Sequence, residues 1–154
     1  MEDKSPRCYS RPDDALLRMQ LTEDQYAVTQ LGRREPPYFN AYWDENREGI
    51  YVDIVTGEPL FLSVDKFHSG GWPAFYKPID HNSIITKEST VQDEKITEVL
   101  SRIGNTHLGY VFPDGPIEHG GMRYSINSAS LRFIPKEKLQ SEGYGDFTAY
   151  FSAL

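Results

Sequence analysis

Four histidines, one cysteine and a scatter of hydroxyls and carboxylates make up the chemical stock of this chain. His68, His81, His107 and His119 have no second histidine within two to five residues, so no local metal pair is built into the sequence. Cys8 is the only thiol, which excludes an internal disulfide and a zinc site made of several thiolates. Neither the G-x-S-x-G turn of a serine hydrolase nor the G-x-x-x-x-G-K-[ST] phosphate loop occurs. Ser125, His107 and Asp114 supply the residue types of a hydrolytic triad, but chains of this length nearly always contain those three types. Trp43, Trp72, Phe75, Tyr76 and Tyr124 read first as core material.

The elements that must position these groups are short. Leu21-Thr22-Glu23-Asp24-Gln25-Tyr26 holds a capping box, Thr22 with Gln25, and Gly32 is a stop signal, so a helix is predicted over about 23–31. From residue 49 the pattern turns to β: Gly49–Val55 and Leu60–Leu62 read as a hairpin around Thr56-Gly57-Glu58-Pro59. Further strands are predicted at Ile84–Glu88, Ile96–Arg102, His107–Phe112, Tyr124–Asn127 and Leu131–Ile134. Ser69-Gly70-Gly71, Gly104-Asn105, Pro113-Asp114-Gly115-Pro116 and His119-Gly120-Gly121 separate them. Pro135–Leu139 is expected to open a short terminal helix. The expected fold is mainly β, antiparallel, with a few short helices.

Composition bounds the function. The 154 residues, 38% hydrophobic and 25% charged, suit one domain with short arms, and no apolar run approaches the roughly 18 residues of a membrane span. A net charge of −7 argues against nucleic-acid binding, which needs a clustered basic surface. The first residues lead into no apolar stretch, so no secretory signal is expected and the cytoplasm is the expected compartment.

Longer strings carry more. Leu21–Gln30, Tyr42-Trp43-Asp44, Gly49-Ile50-Tyr51-Val52, Gly57-Glu58-Pro59-Leu60-Phe61, Ser69-Gly70-Gly71-Trp72-Pro73-Ala74-Phe75, Thr106–Pro116 and Arg123–Phe133 follow one another in a fixed order. In that order and at those spacings the chain resembles the B-type methionine sulfoxide reductases over about residues 20–140. The resemblance implies two antiparallel sheets, a reductase domain over 21–140, an N-terminal arm or linker over 1–20 and a tail over 141–154. It implies an oxidoreductase of protein repair under oxidative stress, which reduces methionine-(R)-sulfoxide, free or in proteins, to methionine. The reaction needs a thiolate to attack sulfur, an acid near the departing oxygen and an aromatic wall for the methyl group. It leaves a sulfenic acid, which a second cysteine converts to a disulfide that thioredoxin reduces. No cofactor is implied.

Carried onto this chain, the resemblance gives Ser125 the position of the nucleophilic cysteine. Trp72 takes that of the methyl-cradling tryptophan, His107 that of the first histidine of His-Leu-Gly-His, and Tyr110 that of the second. Asn127 matches the asparagine after the nucleophile, Glu98 a strand glutamate that helps with the proton, and Phe112 the apolar side of the pocket. Cys8 is the candidate resolving cysteine, carried on the arm, with an idle arm residue as the equal alternative. Zinc-binding relatives have two Cys-x-x-Cys pairs where this chain has Asp53-Ile54-Val55-Thr56 and Ser101-Arg102-Ile103-Gly104, so no zinc is expected. A serine hydroxyl yields almost no alkoxide at neutral pH and lacks the softness of sulfur, so the chain is expected to be a Cys-to-Ser form that binds sulfoxide and barely turns it over. Retention of Trp72, His107, Glu98 and Asn127 favours an exchange within an intact site over decay. The alternative is a non-catalytic module that binds oxidised methionine; a serine hydrolase built on Ser125 is the weaker third reading. The opening residues resemble the linker of proteins in which an A-type reductase is fused to the B-type one.

Overall fold

The computed structural model describes residues 8–151. Two helices open it. In α1 (Asp14–Gln20), Asp13 caps the start by accepting from Leu16 N–H at 2.9 Å, and Leu17 is fully buried. In α2 (Glu23–Leu31), Gln25 N–H donates to Thr22 Oγ1 at 3.1 Å and Thr22 N–H to Gln25 Oε1 at 3.0 Å. The helix stops at Gly32 in the left-handed region, within the bounds the sequence predicts.

Nine strands follow among the described residues: β1 (Gly49–Asp53), β2 (Pro59–Leu62), β3 (Lys66–Ser69), β4 (Trp72–Phe75), β5 (Ile84–Val91), β6 (Glu94–Ser101), β7 (His107–Phe112), β8 (Arg123–Ile126) and β9 (Leu131–Pro135). They form a three-stranded sheet, β2-β1-β9, and a six-stranded sheet, β3-β4-β8-β7-β6-β5, antiparallel at every pairing of neighbours. The fold is therefore mainly β with two antiparallel sheets and few short helices, as expected.

The two sheets meet over an aromatic core. Tyr51, Phe61 and Phe133 of the small sheet pack with Phe75 and Tyr124 of the large one. Phe61 stacks on Phe75 at 4.4 Å between ring centroids, and Tyr51 meets Phe75 edge-on at 5.1 Å. Such ring pairs contribute roughly 0.5–1.5 kcal/mol each beyond area burial. The small sheet is covered on its other side too, by Leu139 and Tyr144 against Ile50, Val52, Leu62 and Ile134. Burial on both faces explains why every residue of β1 is inside.

The hairpin β3–β4 escapes the sequence reading, which takes Ser69-Gly70-Gly71 only as a separator. Ser69 pairs with Trp72 across a two-residue loop whose glycines both have positive φ, 70° and 88°, the geometry such tight hairpins require. Each strand has only four residues and β4 contains Pro73, which demotes a strand in any pattern-based reading. Pairing of β4 with β8 begins only at Ala74, beyond the proline. The expected terminal helix is a single 3-10 turn, Lys136–Lys138.

Candidate active site

The large sheet has one face against the core and one turned outward. Across the outward face the strand registers align Phe67 (β3), Ala74 (β4), Ser125 (β8), Tyr110 (β7), Glu98 (β6) and Lys87 (β5), each directly opposite the next. Directly opposed residues of antiparallel strands project to the same side, so the sheet itself collects these side chains. Ser125 lies near the middle of the row, nearly buried, with Tyr110 on one flank and Ala74, which adds a single carbon, on the other. Gly109 makes the close approach of β7 to β8 possible: a Cβ there would stand 2.1 Å from the Ser125 carbonyl oxygen.

A register shift between Val99 and Leu100 adds His107 to this face. Val99 pairs with Gly109 but Leu100 pairs with His107, so one residue of β7, Leu108, is extra. Without the bulge His107 would share the core-facing side of Gly109 and Val111; with it, His107 lies on the side of Tyr110 and Glu98. The bulge is held at both ends. Asn127 donates to the Leu108 carbonyl from its backbone N–H at 2.8 Å and from Nδ2 at 3.3 Å, and Ser130 Oγ donates to the His107 carbonyl at 2.7 Å.

His107 Nδ1 lies 2.6 Å from Glu98 Oε2, while its Nε2 is buried without a hydrogen-bond partner. The Tyr110 ring meets the His107 ring edge-on at 5.4 Å. Burial first, then the Glu98 carboxylate, push the Tyr110 phenol above its ordinary pKa, with Arg34 opposing them. The phenol therefore stays protonated, and a potential donor, throughout the neutral range.

Trp72 is fixed from a distance in sequence. Its Nε1–H donates to the Glu35 carbonyl at 2.8 Å, Glu35 N–H donates to Asn127 Oδ1 at 3.0 Å, and the Glu35 carboxylate accepts from Ala129 N–H at 3.1 Å. Burial raises the pKa of that carboxyl. Further along the same segment, Tyr38 N–H and Asn40 Nδ2 donate to the Gly71 carbonyl, and Tyr42 N–H donates to Ser128 Oγ. Residues 35–42 thus stitch the β3–β4 turn to residues 127–129. No spacing rule points to Glu35, because its partners lie 37 to 94 positions away.

Arg123 and Asp114 form a two-pronged pair, Nε to Oδ1 at 2.9 Å and Nη2 to Oδ2 at 3.0 Å, and the guanidinium lies 4.4 Å from the Phe112 ring centre. This arrangement removes the hydrolytic triad. Asp114 serves Arg123, and the carboxylate that holds His107 is that of Glu98.

A model described as the SelR domain matches residues 21–135. The chain belongs to the SelR family, that of the B-type methionine sulfoxide reductases. It is also 49% identical over 146 residues to a Vibrio cholerae protein named peptide methionine sulfoxide reductase MsrA/MsrB, covering 94% of this chain and 38% of that one. It therefore spans about two fifths of the length of that relative.

Within this SelR domain, the residues singled out from sequence divide into two groups. Trp72, Glu98, His107, Tyr110, Ser125 and Asn127 belong to one connected arrangement, with Phe112 beside it under Arg123. Cys8 is exposed, and its neighbour Tyr9 lines a separate cavity of about 340 Å³ with Glu58, Ile79, Asp80, Tyr144 and Phe147 among others. The two stretches that carry zinc ligands in some relatives do not suit zinc here. Asp53 is their only carboxylate, and it already accepts from Ser101 Oγ at 2.6 Å, from Thr106 Oγ1 at 2.9 Å and from Val55 N–H at 2.9 Å.

Proposed function

We propose that this domain is built to reduce methionine-(R)-sulfoxide, free or in proteins, and that with Ser125 in place it binds the sulfoxide and hardly turns it over. The observation that carries this reading is the row Glu98–Tyr110–Ser125–Ala74 with His107 turned onto it, its Nε2 buried and without a protein partner. Buried polar atoms are normally satisfied, and one left open in a connected site is a place for a ligand.

In this reading Trp72, clamped by Glu35, walls the methyl group, and Phe112 completes the apolar side. His107 in its doubly protonated form, with Nδ1–H on Glu98, donates from Nε2 to the sulfoxide oxygen alongside the protonated Tyr110. With a thiolate at position 125, sulfur attacks sulfur, the oxygen is protonated, and one oxygen atom passes from substrate to enzyme. Methionine leaves, reduced by two electrons, and the enzyme sulfur becomes a sulfenic acid. A second thiol then expels water to form a disulfide, which a dithiol protein such as thioredoxin reduces. Cys8 is the candidate second thiol, and the arm that carries it must then leave the Tyr9 cavity to reach position 125. Residues 21–140 are the reductase unit, placed in the cytoplasm, and partnership with an A-type domain in a longer chain follows the naming of the Vibrio cholerae relative.

A Ser125→Cys variant supplied with dithiothreitol tests the proposal. It is expected to reduce the R epimer and not the S epimer, at a rate on the order of a hundredfold or more above the serine form. No reduction, with sulfoxide binding intact, would leave the non-catalytic module as the correct reading. After oxidation by sulfoxide without reductant, peptide mapping is expected to find Cys8 joined to the installed thiol; a lasting sulfenic acid beside a free Cys8 would remove its role.

A further inference from the structure

Arg34 is exposed, and its guanidinium carbon lies 4.0 Å from the centre of the Trp72 ring. It is therefore stacked on the side chain that walls the site. Its backbone neighbour Glu35 holds the indole N–H, so ring and guanidinium are positioned by the same short segment. The charge of Arg34 also opposes the upward shift of the Tyr110 phenol.

The carboxylates of the site and its flanks are engaged by other groups: Glu35 accepts from Ala129 N–H, Glu98 holds His107, and Asp114 holds Arg123. The ion pairs found among the described residues do not include Arg34. A guanidinium whose face rests on an aromatic ring keeps its N–H edge free, and that edge matches a carboxylate in a two-pronged arrangement.

We infer that Arg34 is a specificity residue at the mouth of the site, which selects substrates carrying a carboxylate next to the sulfoxide side chain. This rests on the sulfoxide-binding reading above. Two sources present that chemistry: the α-carboxylate of the free amino acid, and an acidic side chain beside an oxidised methionine within a peptide. Apart from its stacking on Trp72, Arg34 makes no hydrogen bond or ion pair among the described residues.

The serine-bearing chain permits a direct binding measurement. Titration calorimetry would compare four probes: N-acetyl-methionine-(R)-sulfoxide as the free acid, its neutral methylamide, and two capped tripeptides with oxidised methionine followed by aspartate or asparagine. The free acid or the aspartate peptide is expected to bind about three- to fivefold more tightly than its neutral counterpart, the range of a partly exposed ion pair. The gain, read as the ratio of charged to neutral affinity within each pair, is expected to shrink at high salt and to disappear in Arg34→Ala. Whichever pair shows the Arg34-dependent gain identifies the source of the carboxylate. Equal binding within both pairs, or a gain that survives Arg34→Ala, overturns the inference while leaving sulfoxide binding intact. Failure of all four probes to bind overturns it together with the reading on which it rests.

Discussion

Two clusters of buried polar groups invite comparison. At the end of β1, Asp53 is fully enclosed, and its carboxylate collects Ser101, Thr106 and the Val55 N–H, while Ser101 Oγ in turn accepts from Thr106 N–H at 3.1 Å. On the outer face of the large sheet, His107 is buried too, but only one of its two ring nitrogens is engaged. The first cluster is closed on itself and joins the two stretches that zinc joins in some relatives. The second is open at one atom. A satisfied buried network fixes structure, whereas a buried polar atom without a protein partner is a point at which a hydrogen-bonding ligand gains affinity.

Breaking each cluster separates the two roles. Asp53→Ala strips the shared acceptor from two hydroxyls and one N–H, and is expected to cost about 2–4 kcal/mol of stability in urea unfolding. Sulfoxide binding by whatever fraction remains folded is expected to be unchanged. Glu98→Gln, made in the Ser125→Cys background, is expected to lower kcat/KM about a hundredfold through loss of the charge that holds His107. Its melting temperature is expected to stay near that of the parent. If the two variants exchanged phenotypes, the contrast would fail.

The smallest expected effect lies beside the Asp53 cluster. Glu58 has its carboxyl pushed up to about 7, by burial first and then by the Asp53 and Asp80 carboxylates, and its Oε1 is buried without a partner. The folded state therefore holds this proton more tightly than the unfolded chain does. The contribution is full below about pH 4.5, the ordinary value, and is lost as pH rises through about 7. Allowing for solvent screening of a partly exposed group, the loss is about 1 kcal/mol. Calorimetric melting from pH 4.5 to 8 is expected to show this decline, and Glu58→Gln to flatten it. An unchanged slope would assign the decline to other groups.

Much of this architecture was legible in the sequence, and the parts that were not share a cause. The capping box of α2 and seven of the nine strands announce themselves because their signals are local. The β3–β4 hairpin does not, since four-residue strands with an internal proline fall below any periodic pattern, although Gly70-Gly71 is itself a hairpin turn signal. The bulge at Leu108 is invisible too, because an extra residue in one strand is defined only against its partner. Motif strings located Ser125, Trp72 and His107. The contacts that tie their surroundings together run through Glu35 and through Asn127 to β7, and join residues tens of positions apart. Asp114 illustrates the converse: as a residue type it suited a triad, but as a side chain it belongs to Arg123.

The lacing of residues 35–42 to 127–129 has a consequence for biosynthesis. Trp72 is translated well before the carboxy-terminal strands that secure its anchor, so the tryptophan wall has no fixed orientation until nearly the whole chain has emerged. Closing loops of this length is slow relative to local pairing, and the reactive face is accordingly expected to mature last. Any truncation that removes residues from 127 onward is accordingly expected to leave the strands without the contacts that anchor Glu35 and, through it, Trp72.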